Sequence, residues 1–186
     1  HAVCYAVVSF RTAYLKCHYP REYLAALLTS VLDVSDKISE YIQAARDMGI
    51  AVLPPDVNES YDEFSVAGEN IRFGLAAVKG VGRSFMKQLV DEREKNGIFT
   101  SVMEERKQGP FRSLQDFCER MYDRELNRRA LESLIKAGSF DSMHYYRSQL
   151  LKIVNPVVDA IAQNRKKNIE GQMDLFGMGN DEVRDT

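Results

Sequence analysis

A chain of 186 residues that is 45% hydrophobic and 28% charged is long enough to bury one or two cores. Its 25 basic and 27 acidic side chains leave a formal charge of −2. That balance excludes a uniformly basic nucleic-acid coat, so an anion site has to be a local patch. Cys4, Cys17 and Cys118 are odd in number and lack Cys-x-x-Cys spacing, which reads as reduced thiols in a cytoplasmic protein. Cys17 adjoins His18 without a second ligand pair, so no metal site is expected. No leader peptide or membrane-length apolar run is apparent. His1 enters helical periodicity without a cap, as if cut from a longer chain.

In chain order, "VCYAVVSFRTAYLKCHYP" carries apolar residues all round and predicts a mostly buried helix ending before Pro20. "PREYLAALLTSVL" predicts a second helix with proline in its first turn. A third runs from about Ser35 to Met48, with Ile38, Tyr41, Ile42 and Ala45 on one face, Gly49 as its stop, and Asp33 and Asp36 as caps. These faces read as core. The period then changes. "GIAVLPPDVN" predicts a short strand stopped by two prolines, and "EFSVAGENIRFGL" a hairpin turning near Gly68 to Asn70. "RSFMKQLVDEREKNG" returns to a helix with Phe85, Met86, Leu89 and Val90 inward, "DEREK" as a solvated charged face and Gly97 beyond its end. The charged loop "TSVMEERKQGP" follows. "SLQDFCERMY" opens with Ser113 and Asp116 in capping-box spacing. "NRRALESLIKAG" starts at Asn127 and stops at Gly138, and "YYRSQLLKIVNPVVDAIAQNRKKN" is longer, kinked or broken at Pro156. The tail "GQMDLFGMGNDEVRDT" is too poor in apolar residues to fold by itself.

"AVKGVGRSF", residues 77–85, is the stretch that points to chemistry. Its paired glycines suggest close approach to a phosphate. A dinucleotide fingerprint requires a third glycine where Phe85 stands, and a P-loop requires a Gly-Lys-Ser/Thr ending. Neither is present. The pattern hydrophobic-x-Gly-hydrophobic-Gly, Val78 to Gly82, with Leu75 before it and Met86 and Leu89 after it, is that of a helix-hairpin-helix. Gly80 and Gly82 let the backbone turn without a Cβ between it and a ligand. The first N–H groups of the next helix lack intrahelical partners and suit one phosphate oxygen, reading no base. Lys79, Gly80, Val81, Gly82, Arg83, Ser84 and Lys87 are therefore the candidate DNA-binding residues. A tight structural corner between two helices is the plainer reading of the same glycines. A weaker copy surrounds Gly138, with Phe140 beyond it and Asp141 or Ser142 expected to cap the next helix. Arg128, Arg129, Lys136 and Arg147 make this part locally basic, and the copy's expected task is packing against the first hairpin.

In the tail, "QMDLF" presents Leu175 and Phe176 for an apolar pocket and the Gln172 amide as an anchor. Such a segment reads as a docking peptide or as a tail folded back on its own domain.

Taken together, these blocks resemble one family, the α subunits of bacterial DNA polymerase III (the C-family replicative polymerases). "HAVCYAVVSFRTAYLKCHYPREYLAALLTS" is similar to the family's fingers segment. "LPPDVNES", "IRFGLAAVKGVG" and "NRRALESLIKAGSFD" resemble its successive signatures, and "GQMDLFG" its internal clamp-binding motif. Lys79 stands where many helix-hairpin-helix motifs have proline, and Met86 where they often have alanine. The resemblance implies a mainly α architecture: residues 1–49 as the C-terminal part of the fingers, 50–74 as short strands and a β-hairpin, 75–164 as a tandem helix-hairpin-helix region, and 165–186 as a flexible tail. It implies duplex DNA (primer-template) as a partner of the hairpin. The β sliding clamp is implied as the partner of Gln172, Asp174, Leu175 and Phe176, and other replicase subunits as partners of the parent chain. His1 matches the last residue of a stretch near the nucleotide site.

In that family the aspartates holding two Mg2+ ions belong to the palm, which precedes this section. No cofactor, metal site or catalytic residue is therefore expected here. Asp33, Asp36, Asp56 and Asp62 do not form a converging set. Two other classes compete. One is a protein-interaction scaffold with structural hairpins that binds only the clamp through its tail. The other is a base-excision glycosylase, for which Asp91 lies too plainly on a charged face.

Overall fold

The computed structural model describes residues 1–94, 109–124 and 126–177, with side chains described through Asn168. Gly97, most of the "TSVMEERKQGP" loop and the last nine residues lie outside these ranges. Among the described residues the fold is mainly α, with a small three-stranded sheet between the helices.

Helices α1 (Ala2–His18) and α2 (Pro20–Ser30) are separated at Tyr19, whose φ of −134° and ψ of 56° leave the helical region. The cause is Pro20, whose ring disfavours the helical conformation in the residue before it and then occupies the first helical position itself. Where the sequence predicts burial, α1 buries no residue. Val3 is 77% exposed and Phe10 71%. An all-round apolar helix needs neighbours on several sides, and the principal neighbour of α1 is α2 alone.

Helix α2 buries Leu24, Ala25 and Leu28, and α3 (Ser35–Asp47) buries Ile38 and Ala45. Gly49, at φ 76°, ends α3 in a conformation that costs glycine nothing. No side chain caps the start of α3, so Asp33 and Asp36 do not serve as the expected caps. Strands β1 (Val52–Leu53), β2 (Ser65–Ala67) and β3 (Asn70–Arg72) lie in the order β1-β3-β2. The β2–β3 hairpin turns at Gly68, φ 60°, and β1 pairs parallel to β3 with Val52 opposite Ile71. Ile71, Phe64 and Ile50 join α2 and α3 in the first core.

The second core gathers α4 (Arg83–Arg93), α5 (Leu114–Met121), α6 (Arg128–Ala137) and α7 (Arg147–Gly177). It is built on Leu75, Met86, Leu89, Phe117, Leu134 and Phe140. Phe117 meets Phe140 edge-on at 5.1 Å. Phe73 packs against both cores and couples them. Ser113 caps α5 by accepting from Asp116 N at 3.1 Å, while the Asp116 carboxylate accepts from Arg112 N rather than from the capping residue. Asn127 caps α6 through Ala130 N at 2.7 Å, and Gly138 ends it at φ 90°. Helix α7 runs through Pro156 without a break. Leu150 and Val154 before the proline and Ile161 after it are all buried in the second core, so packing on both sides outweighs the lost hydrogen bond.

The "DEREK" face is not simply solvated. Asp91 is exposed, but Glu92 and Arg93 are buried. Arg93 donates to the carbonyls of Val57 at 3.0 Å and Ser60 at 2.5 Å and lies over the Tyr61 ring. Glu92 ion-pairs with Arg124 at 2.8 Å and with Arg120 at 3.5 Å. Arg120 also donates to the Glu92 and Gly109 carbonyls and stacks on Phe111. These arginines tie the loops to the core.

Candidate nucleic-acid interface

The approach to the glycine turn is shorter than the sequence predicts. Instead of a helix, Leu75–Ala77 forms a single 3-10 turn. The amides of Leu75 and Ala76 donate to the carbonyls of Tyr61 and Asp62. A Cβ on Gly74 would lie 2.6 Å from the backbone of Glu63. The crossing loop thus fixes the start of the turn, and Val78 is already extended.

Lys79 and Gly80 are exposed, and Gly80 has a φ of 87° that favours glycine. Val81 is partly buried against the second core. Gly82 is the N-cap of α4, extended at φ −73° and ψ 144°, and a Cβ there would meet nothing within 4 Å. The first hydrogen bond of α4 runs from Met86 N to Gly82 O, at 3.1 Å. No side chain caps this helix. The amides of Arg83, Ser84 and Phe85 thus stand at an uncapped N-terminus, where the helix dipole adds positive potential. Phe85, Met86 and Leu89 are buried beneath, which holds the helix start in place.

The structure brings the predicted residues Lys79 to Lys87 together at this turn, with Ser84 and Lys87 exposed. It also adds partners. Arg83 is engaged by Asp33 of the α2–α3 loop at 3.1 Å, an exposed ion pair. Gly80 lies against α6: a Cβ on it would be 2.9 Å from Ser133 Oγ and 3.9 Å from Arg129 Nε. The second hairpin thus packs on the first. Of its basic residues, Arg128 pairs with Asp159, Arg147 with Asp141 and Lys136 with Glu132. Asp141 therefore holds Arg147 rather than capping a helix, and α7 begins only at Arg147. The contribution of α6 at the turn was partly visible beforehand, because Arg129, Ser133 and Lys136 fall at spacings of four and three opposite Leu131, Leu134 and Ile135.

Other candidate residues are placed apart. His1 is exposed at the start of α1. Asp56 closes a local turn by accepting from Asn58 N at 2.7 Å. Among the described residues no three His, Cys, Asp or Glu side chains are grouped as a metal site would require. No described helix is long and apolar enough to cross a membrane. The backbone of Gln172 to Phe176 continues α7, where the sequence predicts a flexible tail. Gly171 does not stop it, since one interior glycine costs a helix only about 1 kcal/mol. Cys118 is buried, and desolvation pushes its thiol up to about 12, with Glu119 adding to the effect. Cys4 and Cys17 are exposed.

An exposed glycine turn opening an uncapped helix, followed by a second helix–turn–helix packed on it, defines a class. A helix-hairpin-helix motif model matches residues 49–104 and again 100–150, and the chain belongs to that family. Within it, the chain is 44% identical over 176 residues to DNA polymerase III subunit alpha of Thermus aquaticus, covering 95% of this chain and 13% of that protein. It is 42% identical to the subunits of the same name from Chlamydia muridarum, over 96% of this chain and 13% of that protein, and from Saccharopolyspora erythraea, over 97% and 14%. The chain spans well under a fifth of the length of these relatives.

Proposed function

We propose that this section grips the sugar-phosphate backbone of duplex DNA through the Gly80–Gly82 turn, without reading sequence, and serves DNA replication as part of a polymerase. The observation that carries the reading is the exposed turn itself: two glycines, one at positive φ and one with open space beside it, leading into uncapped amides. The similarity to DNA polymerase III α subunits supports the replicative context. We assign no nucleotidyl transfer to this section: of its candidate aspartates, Asp33 is engaged by Arg83 and Asp56 by a local turn. In the parent protein that chemistry would rest on Mg2+ held by palm aspartates outside this section.

We further propose that Gln172, Asp174, Leu175 and Phe176 dock on the sliding clamp. Docking as an extended peptide requires the end of α7 to open, and the glycines at 171 and 177 make that inexpensive. A five-residue peptide reaches about −8 kcal/mol at best, near micromolar. Tethering to a DNA-bound body raises its effective concentration.

A gel-shift titration on primed duplex, with and without clamp, tests both parts. The account expects a shift by the protein alone and a supershift with clamp that Leu175→Ala with Phe176→Ala abolishes. No shift by the protein alone, with a shift appearing only when clamp is added, would favour a scaffold with structural hairpins that binds only the clamp through its tail.

A further inference from the structure

A phosphate cradle needs donors and also a cation that is not already neutralised. On the face around the Gly80–Gly82 turn, most guanidiniums are spent. Arg83, the basic residue at the first position of α4, faces Asp33 at 3.1 Å. On the second hairpin Arg128 pairs with Asp159, and Arg147 binds Asp141 and the Lys136 carbonyl. The exposed Arg129 has no ion pair among the described residues. Its Nε lies 3.9 Å from where a Gly80 Cβ would stand, beside Ser133 Oγ at 2.9 Å.

Its backbone is firmly held. Leu131, Leu134 and Ile135 are buried on the opposite side of α6, Ala130 is buried next to it in sequence, and Asn127 caps the helix two residues before. Arg129 is thus carried on a rigid element, with only its side chain to order on binding. A planar guanidinium beside the exposed Gly80 turn suits a phosphodiester, which it can grip with two parallel N–H donors.

We infer that Arg129, from α6 of the second hairpin, is the cation that completes the phosphate-binding turn of the first, with Ser133 as its wall. The ligand class is the phosphodiester backbone of a nucleic acid. The inference rests on the DNA-backbone reading above. It assigns Arg129 a two-donor fork that the exposed Lys79 and Lys87 of the motif lack, and that Arg83 offers only by leaving Asp33.

The test is fluorescence-anisotropy titration of a labelled duplex over 50–200 mM salt, using wild type, Arg129→Gln, Arg129→Lys and Gly82→Val, each checked for an unchanged thermal unfolding midpoint. Arg129→Gln should bind about five- to tenfold more weakly at low salt, with a log–log salt slope shallower by about 0.9. Arg129→Lys should regain the slope while recovering only part of the affinity, since it keeps the charge and loses the fork. An Arg129→Gln slope and affinity equal to wild type, with Gly82→Val impaired, would overturn the inference and leave the parent reading standing. So would an Arg129→Lys variant no better than Arg129→Gln. Normal binding by Gly82→Val, or no binding by wild type, would overturn both.

Discussion

Gly80 sits so close to Ser133 that a β-carbon on the glycine would lie 2.9 Å from the serine hydroxyl oxygen. Together with its φ of 87°, this makes Gly80 a packing residue as well as a turn residue. Gly82, two positions on, is a different case: its backbone suits any L-residue, and a side chain there would enter open space. The two glycines should therefore separate experimentally. Gly80→Ala should cost about 1–2 kcal/mol from backbone conformation alone, more if Ser133 cannot yield, as read by urea unfolding. Gly82→Ala should stay within about 0.5 kcal/mol of wild type. Equal stability losses in both variants would contradict this division.

The Arg83–Asp33 pair holds a cation of the turn in check. Exposed pairs of this kind contribute about 0–1 kcal/mol, so Asp33→Asn should leave the unfolding midpoint nearly unchanged. It should free Arg83 and remove a repelling charge, raising duplex affinity a few-fold at 50 mM salt and steepening the salt slope by about 0.9. An unaltered slope would place Arg83 outside the phosphate path.

Arg120 is the centre of a buried network whose loss should be felt in stability. Arg120→Ala leaves Glu92 without one of its arginines and strands the Glu92 and Gly109 carbonyls. The expected cost is about 3 kcal/mol or more in urea unfolding. A loss below about 1 kcal/mol would show that Glu92 is satisfied without Arg120.

How much of this could be read beforehand depended on whether the signal was local. Pro20, Gly49, Gly68, Ser113, Asn127 and Gly138 each act within a turn or two, and each ends or starts an element where its chemistry predicts. Burial depends on distant neighbours. The apolar residues of α1 gave no hint that its chief neighbour would be α2 alone, and "DEREK" gave no hint that Val57, Ser60 and Arg124 would draw Glu92 and Arg93 inside. The parallel pairing of β1 with β3 likewise joins segments 19 residues apart (Val52 to Ile71) and has no sequence signature of its own. At the turn, the glycines were legible, but the approach of Arg129 depends on α6 folding back across them.

Cys118 offers a pH test of the second core. Its folded thiol is held up at about 12 against an ordinary 9.0, so the folded state keeps a proton that the unfolded chain releases. Stability should be unaffected below about pH 9 and fall between pH 9 and 12, by up to about 1.4 kcal/mol per pH unit. In the native protein at pH 8, Ellman's reagent should titrate Cys4 and Cys17 and reach Cys118 only after denaturation. Rapid reaction of all three thiols without unfolding would contradict the burial.

The central claim is that backbone amides beside Gly82 hold a phosphate. Its most direct test compares duplex affinity across 50–200 mM salt for wild type and Gly82→Val, a change the fold has room for. If the two hairpins neutralise about four phosphates, wild type should show a log–log slope near −3.6, a loss of roughly a hundredfold across that range. Gly82→Val should remain folded and lose most of its binding. A flat wild-type salt response, or a folded Gly82→Val that binds as well as wild type, would contradict the account.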